Sequence, residues 1–386
     1  MRRFNMLAAI SMAFISASAV AQMHVSEINQ AGDGNTAELV QTGTSHQAQQ
    51  TQLGNNSYQR IEQDGTGHSA TVYQDEATED ARVTVTQGGD NQVANIYQSG
   101  ENEVTLTQAG SANQYTLNDT TYYGSGSVTG EQNGTGNIHT LTRTTSGAAT
   151  INTTSIGNNN IINLEQGTDG FLSGFTATQT GDTNQITAIQ RDMNVSSAVE
   201  QQGNANSVQL QQYGVSPKDV DVGSIFARVT QYGDGNTATV EQSLNATARL
   251  TQNGNNNSVT VDQGGRASIY FGSAGASLTT NQLGDDNIMT VSQSATSGSN
   301  SIIATQDGNG NTMDLVQAGV ENSSLDVSQI GDNNYMSLTQ RQTINDNFQL
   351  TQQGSGLSVT LERTGQGNQA TLMQTGLSNT ATLIQH

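Results

Sequence analysis

The sequence predicts an all-β chain, a β-solenoid of strand-turn-strand repeats stacked as two facing parallel sheets. Three observations lead there. Apolar and polar residues alternate with a period of two, the pattern of a strand with two unlike faces. Glycine-rich tetrads separate the alternating stretches. The combination recurs every 22–24 residues along nearly the whole chain, and fixed periods of that size mark stacked repeats.

One unit shows the logic. His24, Ser26 and Ile28 alternate before Gln30, Ala31-Gly32-Asp33-Gly34 makes the turn, and Ala37, Leu39 and Gln41 alternate after Asn35. Ile28, Ala37 and Leu39 are expected on one face, Thr36 and Glu38 on the other. An isolated hairpin is marginal in water, but units stacked in register hydrogen-bond strand on strand about 4.7–4.9 Å apart. The string returns as QYGDGNTATVEQ from Gln231 to Gln242 and as QTGLSNTATLIQ from Gln374 to Gln385. The common form is Q-x-G-x-x-N-x-h-x-h-x-Q, with h mostly apolar.

Counted as one series by the glutamine before the glycine, copies begin at Gln30, Gln52, Gln74 and Gln98, then at Gln132 and onward to Gln374. Ser155 and Arg363 each replace a glutamine, and a degenerate copy falls between 108 and 131. About sixteen repeats over 22–386 make a rod on the order of 75 Å. Insertions are expected near 118–131, 213–229 and 265–279, where the spacing is disturbed and Pro217 and the aromatics Tyr122, Tyr123, Tyr270 and Phe271 lie. Solenoids usually accept such insertions as edge loops.

A glutamine buried in such a stack needs partners for its amide. The same residue in the units above and below supplies them, as in cross-β ladders. This predicts ladders through Gln30, Gln41, Gln231, Gln242, Gln374 and Gln385, with Asn35, Asn236 and Asn379 acting after the turns.

Composition narrows the function classes. Hydrophobic residues make up 32% and charged ones 12%, against about 45–50% and 25% in ordinary globular domains. The chain lacks cysteine, which excludes disulfides and thiolate chemistry. A formal net charge of −21 argues against nucleic acid, whose phosphates require a basic face. Residues 1–21 read as a signal peptide: Arg2 and Arg3, an apolar run from Met6 to Ile15, and Ala19-Val20-Ala21 before Gln22. No later run is long and apolar enough to span a membrane as a helix, so a secreted chain is expected.

The spacing S-x5-Q-x-G-x-x-N-x-A-x3-Q, met most fully by Gln30–Gln41 and Gln231–Gln242, resembles the curlin repeat. The resemblance implies a subunit of an extracellular amyloid-like fibre that serves biofilm matrix and adhesion. It also implies export through curli-type outer-membrane secretion machinery and a nucleating partner curlin. The chain departs from familiar curlins in its larger number of repeats, in His24, His46 and Asn300 at the leading serine position, and in lacking a glycine-rich segment before the first repeat.

The repeats run from just after the leader into Leu383-Ile384-Gln385-His386, with neither a charged nor a helical cap evident. An open sheet edge templates the next copy, and a head-to-tail contact that does not close makes filaments. The residues expected to carry growth are Ile28, Gln30, Asn35 and Gln41 at one end and Gln374, Asn379, Leu383 and Gln385 at the other. The alternatives are a nucleating minor subunit and a monomeric β-solenoid adhesin.

His24, His46 and His68 are spaced by 22 residues, so they fall in one column. That column suits either a ladder role in place of Ser or Asn, or metal binding and pH sensing. Asp33, Asp182, Asp234, Asp285 and Asp332 fall in turns and are read as solvated turn residues, since the nine-residue calcium-roll pattern does not occur. No nucleophile elbow, P-loop or zinc-protease signature occurs, so no enzyme activity and no cofactor are expected.

Overall fold

The computed structural model describes residues 23–386, apart from 122–125, 146, 148, 169–172, 192–193, 215–223, 244, 266–274 and 298. The expected signal peptide over 1–21 lies outside the described residues, as do Tyr122, Tyr123, Pro217, Lys218, Tyr270 and Phe271.

The described chain forms 31 strands in two sheets. The 16-stranded sheet holds the odd-numbered strands, from β1 (Val25–Gln30) and β3 (Gln47–Gln52) to β31 (Thr380–Gln385). The 15-stranded sheet holds the even-numbered ones, from β2 (Thr36–Thr44) and β4 (Tyr58–Thr66) to β30 (Gln369–Leu377). Each strand pairs in parallel with the next of its own sheet, so the chain alternates between sheets and rises one strand per coil. This is the β-solenoid of two facing parallel sheets.

The period-two pattern places the core. Inward positions such as Ile61, Val85, Leu106, Leu117 and Leu141 are fully buried between the sheets, while their neighbours face solvent. Each such side chain contributes roughly 1.5–3 kcal/mol by leaving water. Threonine and valine fill many strand positions, which suits a pleated, half-buried surface.

The two edges differ. From every even strand to the next odd one the chain takes the same step, from Gln63 to His68, from Gln132 to Asn137, from Gln231 to Asn236 and from Gln374 to Asn379. We call this the fixed edge. From odd to even strands the connection changes in length, and we call this the variable edge. Between β17 (Ser207–Tyr213) and β18 (Ile225–Tyr232) it is long; between β19 (Thr237–Ser243) and β20 (Ala246–Asn253) it is two residues.

This geometry corrects two expectations. The copies counted as one series belong to two. Gln30, Gln52, Gln74 and Gln98 end odd strands and precede the variable edge, whereas Gln132 and Gln231 end even strands and precede the fixed edge. Both strands of a coil end in glutamine, so the motif fits either edge and the count slips by half a coil. The disturbance expected over 118–131 is also narrower. Residues 118–121 finish β9 (Gln114–Thr121), and 126–131 open β10 (Gly126–Thr135), in register with their neighbours. Likewise Ile225–Val229 and Gly275–Thr279 lie in strands, leaving the variable edge as the site of all three insertions.

Glycine is required where coils touch at the fixed edge. Gly233 has φ 101°, and a Cβ there would sit 2.2 Å from the Gly254 carbonyl oxygen. No other residue fits that column without a backbone shift.

Candidate functional site: amide ladders and solenoid ends

Two columns of glutamine run through the interior, one beside each edge. Gln30, Gln242 and Gln385 belong to the column of the odd sheet; Gln41, Gln231 and Gln374 belong to that of the even sheet. The bonds have one direction. The Nε2 of Gln231 donates to the Oε1 of Gln252 at 2.8 Å, and that of Gln242 to Gln263 at 2.9 Å. The second amide proton crosses to the other sheet: Gln231 donates to the Ser207 carbonyl and Gln242 to the Phe226 carbonyl, both at 3.2 Å. Gln231 and Gln242 thus tie coil to coil and sheet to sheet. A net 0.5–1.5 kcal/mol per bond, roughly, makes the column a large cumulative term.

Asparagine does the same work at the fixed edge. Asn236 receives the Asn257 N–H on its Oδ1 at 3.0 Å and donates to the Gly254 carbonyl at 2.7 Å. Asn35 makes the same bonds at the other edge, to the Ser57 N–H and the Gly54 carbonyl.

The three histidines fall in the asparagine column of the fixed edge. Their rings stack, at 5.1 Å between His24 and His46 and 4.9 Å between His46 and His68. The Nδ1 of His46 accepts the His68 N–H, and its Nε2 lies 2.8 Å from the Thr42 carbonyl. His68 repeats this with the Gln92 N–H and the Asp64 carbonyl. The acceptor on Nδ1 requires the proton on Nε2, so a neutral imidazole copies an asparagine amide. With both ring nitrogens engaged, neither His46 nor His68 offers a lone pair to a metal. Burial, the largest cause, holds His46 below its ordinary value; the flanking imidazoles add to this, while the Thr42 carbonyl and Asp64 oppose it.

Sequence reasoning found the break at Arg363 but missed the two earlier breaks in the odd column. Asp119 and Arg143 take two successive glutamine positions and form a fully buried ion pair. Arg143 donates Nε to Asp119 Oδ1 at 2.7 Å, and a further nitrogen to the Ala149 carbonyl at 2.8 Å. Arg363 replaces a later glutamine and pairs with buried Asp346 at 3.7 Å. Counting along the odd column from Gln98 would have located Asp119 and Arg143. His139 also lies in the core here, bonded to the Ser155 hydroxyl and driven by burial down to about 3.

At the solenoid ends, β1 and β2 have a strand neighbour on one side only, as do β30 and β31. The inward residues Leu39, Leu372 and Leu383 are only partly buried there, as is Ile28. The ladders end with opposite polarity. Gln30 donates inward to Gln52 and presents its Oε1 outward, while Gln374 accepts from Gln352 and presents its remaining ladder proton outward. Asn379, which closes the column that begins at His24, bonds back to the Thr375 carbonyl.

Among the described residues, no cluster of three or more His, Asp or Glu side chains is placed to hold a metal ion, and no helix is long and apolar enough to cross a membrane. No family model matches the chain, and no curated protein matches it.

Proposed function

We propose that the chain is a structural subunit of an extracellular, curli-like amyloid fibre, growing by head-to-tail stacking along the solenoid axis. One observation carries the reading: the two ends are complementary in register and in hydrogen-bond polarity. Stacking β1 of one copy on β31 of another continues the odd sheet. Gln385 then donates toward Gln30, and the Oδ1 of Asn379 faces the His24 N–H. Each addition regenerates the same end, so growth does not close.

On this reading the chain is secreted, serves biofilm matrix and adhesion, and works with curli-type secretion machinery and a partner or nucleating curlin. Its spacing of Gln, Gly and Asn supports that wider reading. The test is the chain from Gln22 to His386 diluted from denaturant, followed by thioflavin fluorescence, electron microscopy and fibre diffraction. Filaments with a reflection at about 4.7–4.8 Å are expected. A stable β-rich monomer at tens of micromolar would overturn the proposal in favour of a monomeric adhesin.

A further inference from the structure

The outer faces carry a charge pattern that stacking leaves unexplained. Among the described residues, Arg60, Arg82, Arg143, Arg191 and Arg363 have carboxylate partners. Arg228 and Arg249 have none, yet they are register partners on β18 and β20, exposed on the outer face of the even sheet. Their backbones are about 4.8 Å apart. The Arg249 guanidinium lies 5.6 Å over the Phe226 ring, which holds it along the face.

The opposite face mirrors this. Glu241 on β19 and Asp262 on β21 (Ser258–Gly265) are register partners on the odd sheet, both exposed and both outside any ion pair. They lie half a coil further along. Like charges directly opposite one another on adjacent strands repel, so each pair raises the energy of the isolated solenoid. The pairs cannot relieve each other within one molecule, because the two-sheet core separates them.

We propose that these faces form a lateral docking surface between copies of this chain. The even-sheet face of one copy lies on the odd-sheet face of the next, with Arg228 and Arg249 against Glu241 and Asp262. Both pairs share the one-strand spacing, so parallel axes and a slide of half a coil bring them together. The contact is heterologous and leaves a free face of each sign, so further copies add side by side. It runs across the sheets, at right angles to the stacking proposed above, and stands independently of it. In an acidic chain that repels its own copies at long range, a local complementary patch sets register and direction.

The test is reciprocal charge reversal in the secreted chain. Sedimentation velocity reads association of soluble species, and electron microscopy reads the width of any filaments, at low and high salt. Wild type is expected to associate side by side at low salt and to separate as salt screens the charges. R228E/R249E alone and E241R/D262R alone are each expected to stay single, and an equimolar mixture of the two to associate again. Circular dichroism checks that both variants fold. Wild-type association in either variant alone, failure of the mixture to recover it, or a wild type that stays single at low salt would overturn the proposal. Filaments that form single-file, without widening, would overturn it while leaving head-to-tail growth intact.

Discussion

At the fixed edge, every coil turns through one step of constant length, with a glycine and then, in all but the coil of Leu357, a polar side chain of the column that runs from His24 to Asn379. At the variable edge, the same strands are joined by connections from one residue to more than ten. The difference follows from what closes each turn. Asn236 is bonded to the coils on both sides, so an extra residue at the fixed edge would break several bonds at once. At the variable edge such a column holds only in stretches, as at Asn35 and Ser57 and again through Asn300, Ser323, Asp346 and Asn368, and between them an added loop leaves the strand pairing untouched. The glutamine columns carry the same contrast. Beside the fixed edge the column is interrupted only by Ser155; beside the variable edge it admits Asp119, Arg143 and Arg363.

The largest expected effect tests the variable-edge column. Asp119→Ala leaves the Arg143 guanidinium buried without its partner and should cost about 3–5 kcal/mol in chemical denaturation. Replacing both residues with apolar ones should recover most of that loss; if it does not, the ion pair does more than satisfy itself.

The next comparison sets one edge against the other. Gly233→Ala forces a left-handed residue and a contact with the Gly254 carbonyl, and should cost at least about 1–3 kcal/mol. Gly264→Ala, beside the variable edge, meets only the Ser243 hydroxyl at 3.8 Å and should stay within about 0.5 kcal/mol of wild type. Equal losses would erase the distinction between the edges. Asn236→Ala should fall between, at about 1–3 kcal/mol, because it strands the Asn257 N–H and the Gly254 carbonyl.

The smallest effect separates the first coils of the fixed edge from the rest. His46 titrates below its ordinary value in the fold, so the unfolded chain takes up protons first. Stability from this residue is complete above about pH 6.5 and is lost as pH falls below it. Hydrogen exchange should show the first coils opening more readily in mild acid, and His46→Asn should remove that dependence while keeping the ladder. His139 acts in the same direction deeper in the core, with its loss extending down toward about pH 3. If exchange in the first coils ignores pH, His46 does not behave as a titratable asparagine.

Strands, turns, two facing sheets and the amide ladders were legible in the sequence, because each depends on local periodicity. Alternation of period two sets the faces, glycine permits the turn, and a fixed repeat brings like residues together. The column of His24, His46 and His68 was legible for the same reason. The pairing of Asp119 with Arg143 was missed because the counted series passed from the odd column to the even one after Gln98, although the two residues stand one repeat, 24 positions, apart. The division of the glutamines between two columns was not legible, because both edges share one motif and only the path of the chain tells them apart. The opposed faces of Arg228 and Arg249 and of Glu241 and Asp262 also belong to the tertiary structure alone: alternation fixes inward from outward, but which outward residues share a face across successive coils depends on the register of stacking.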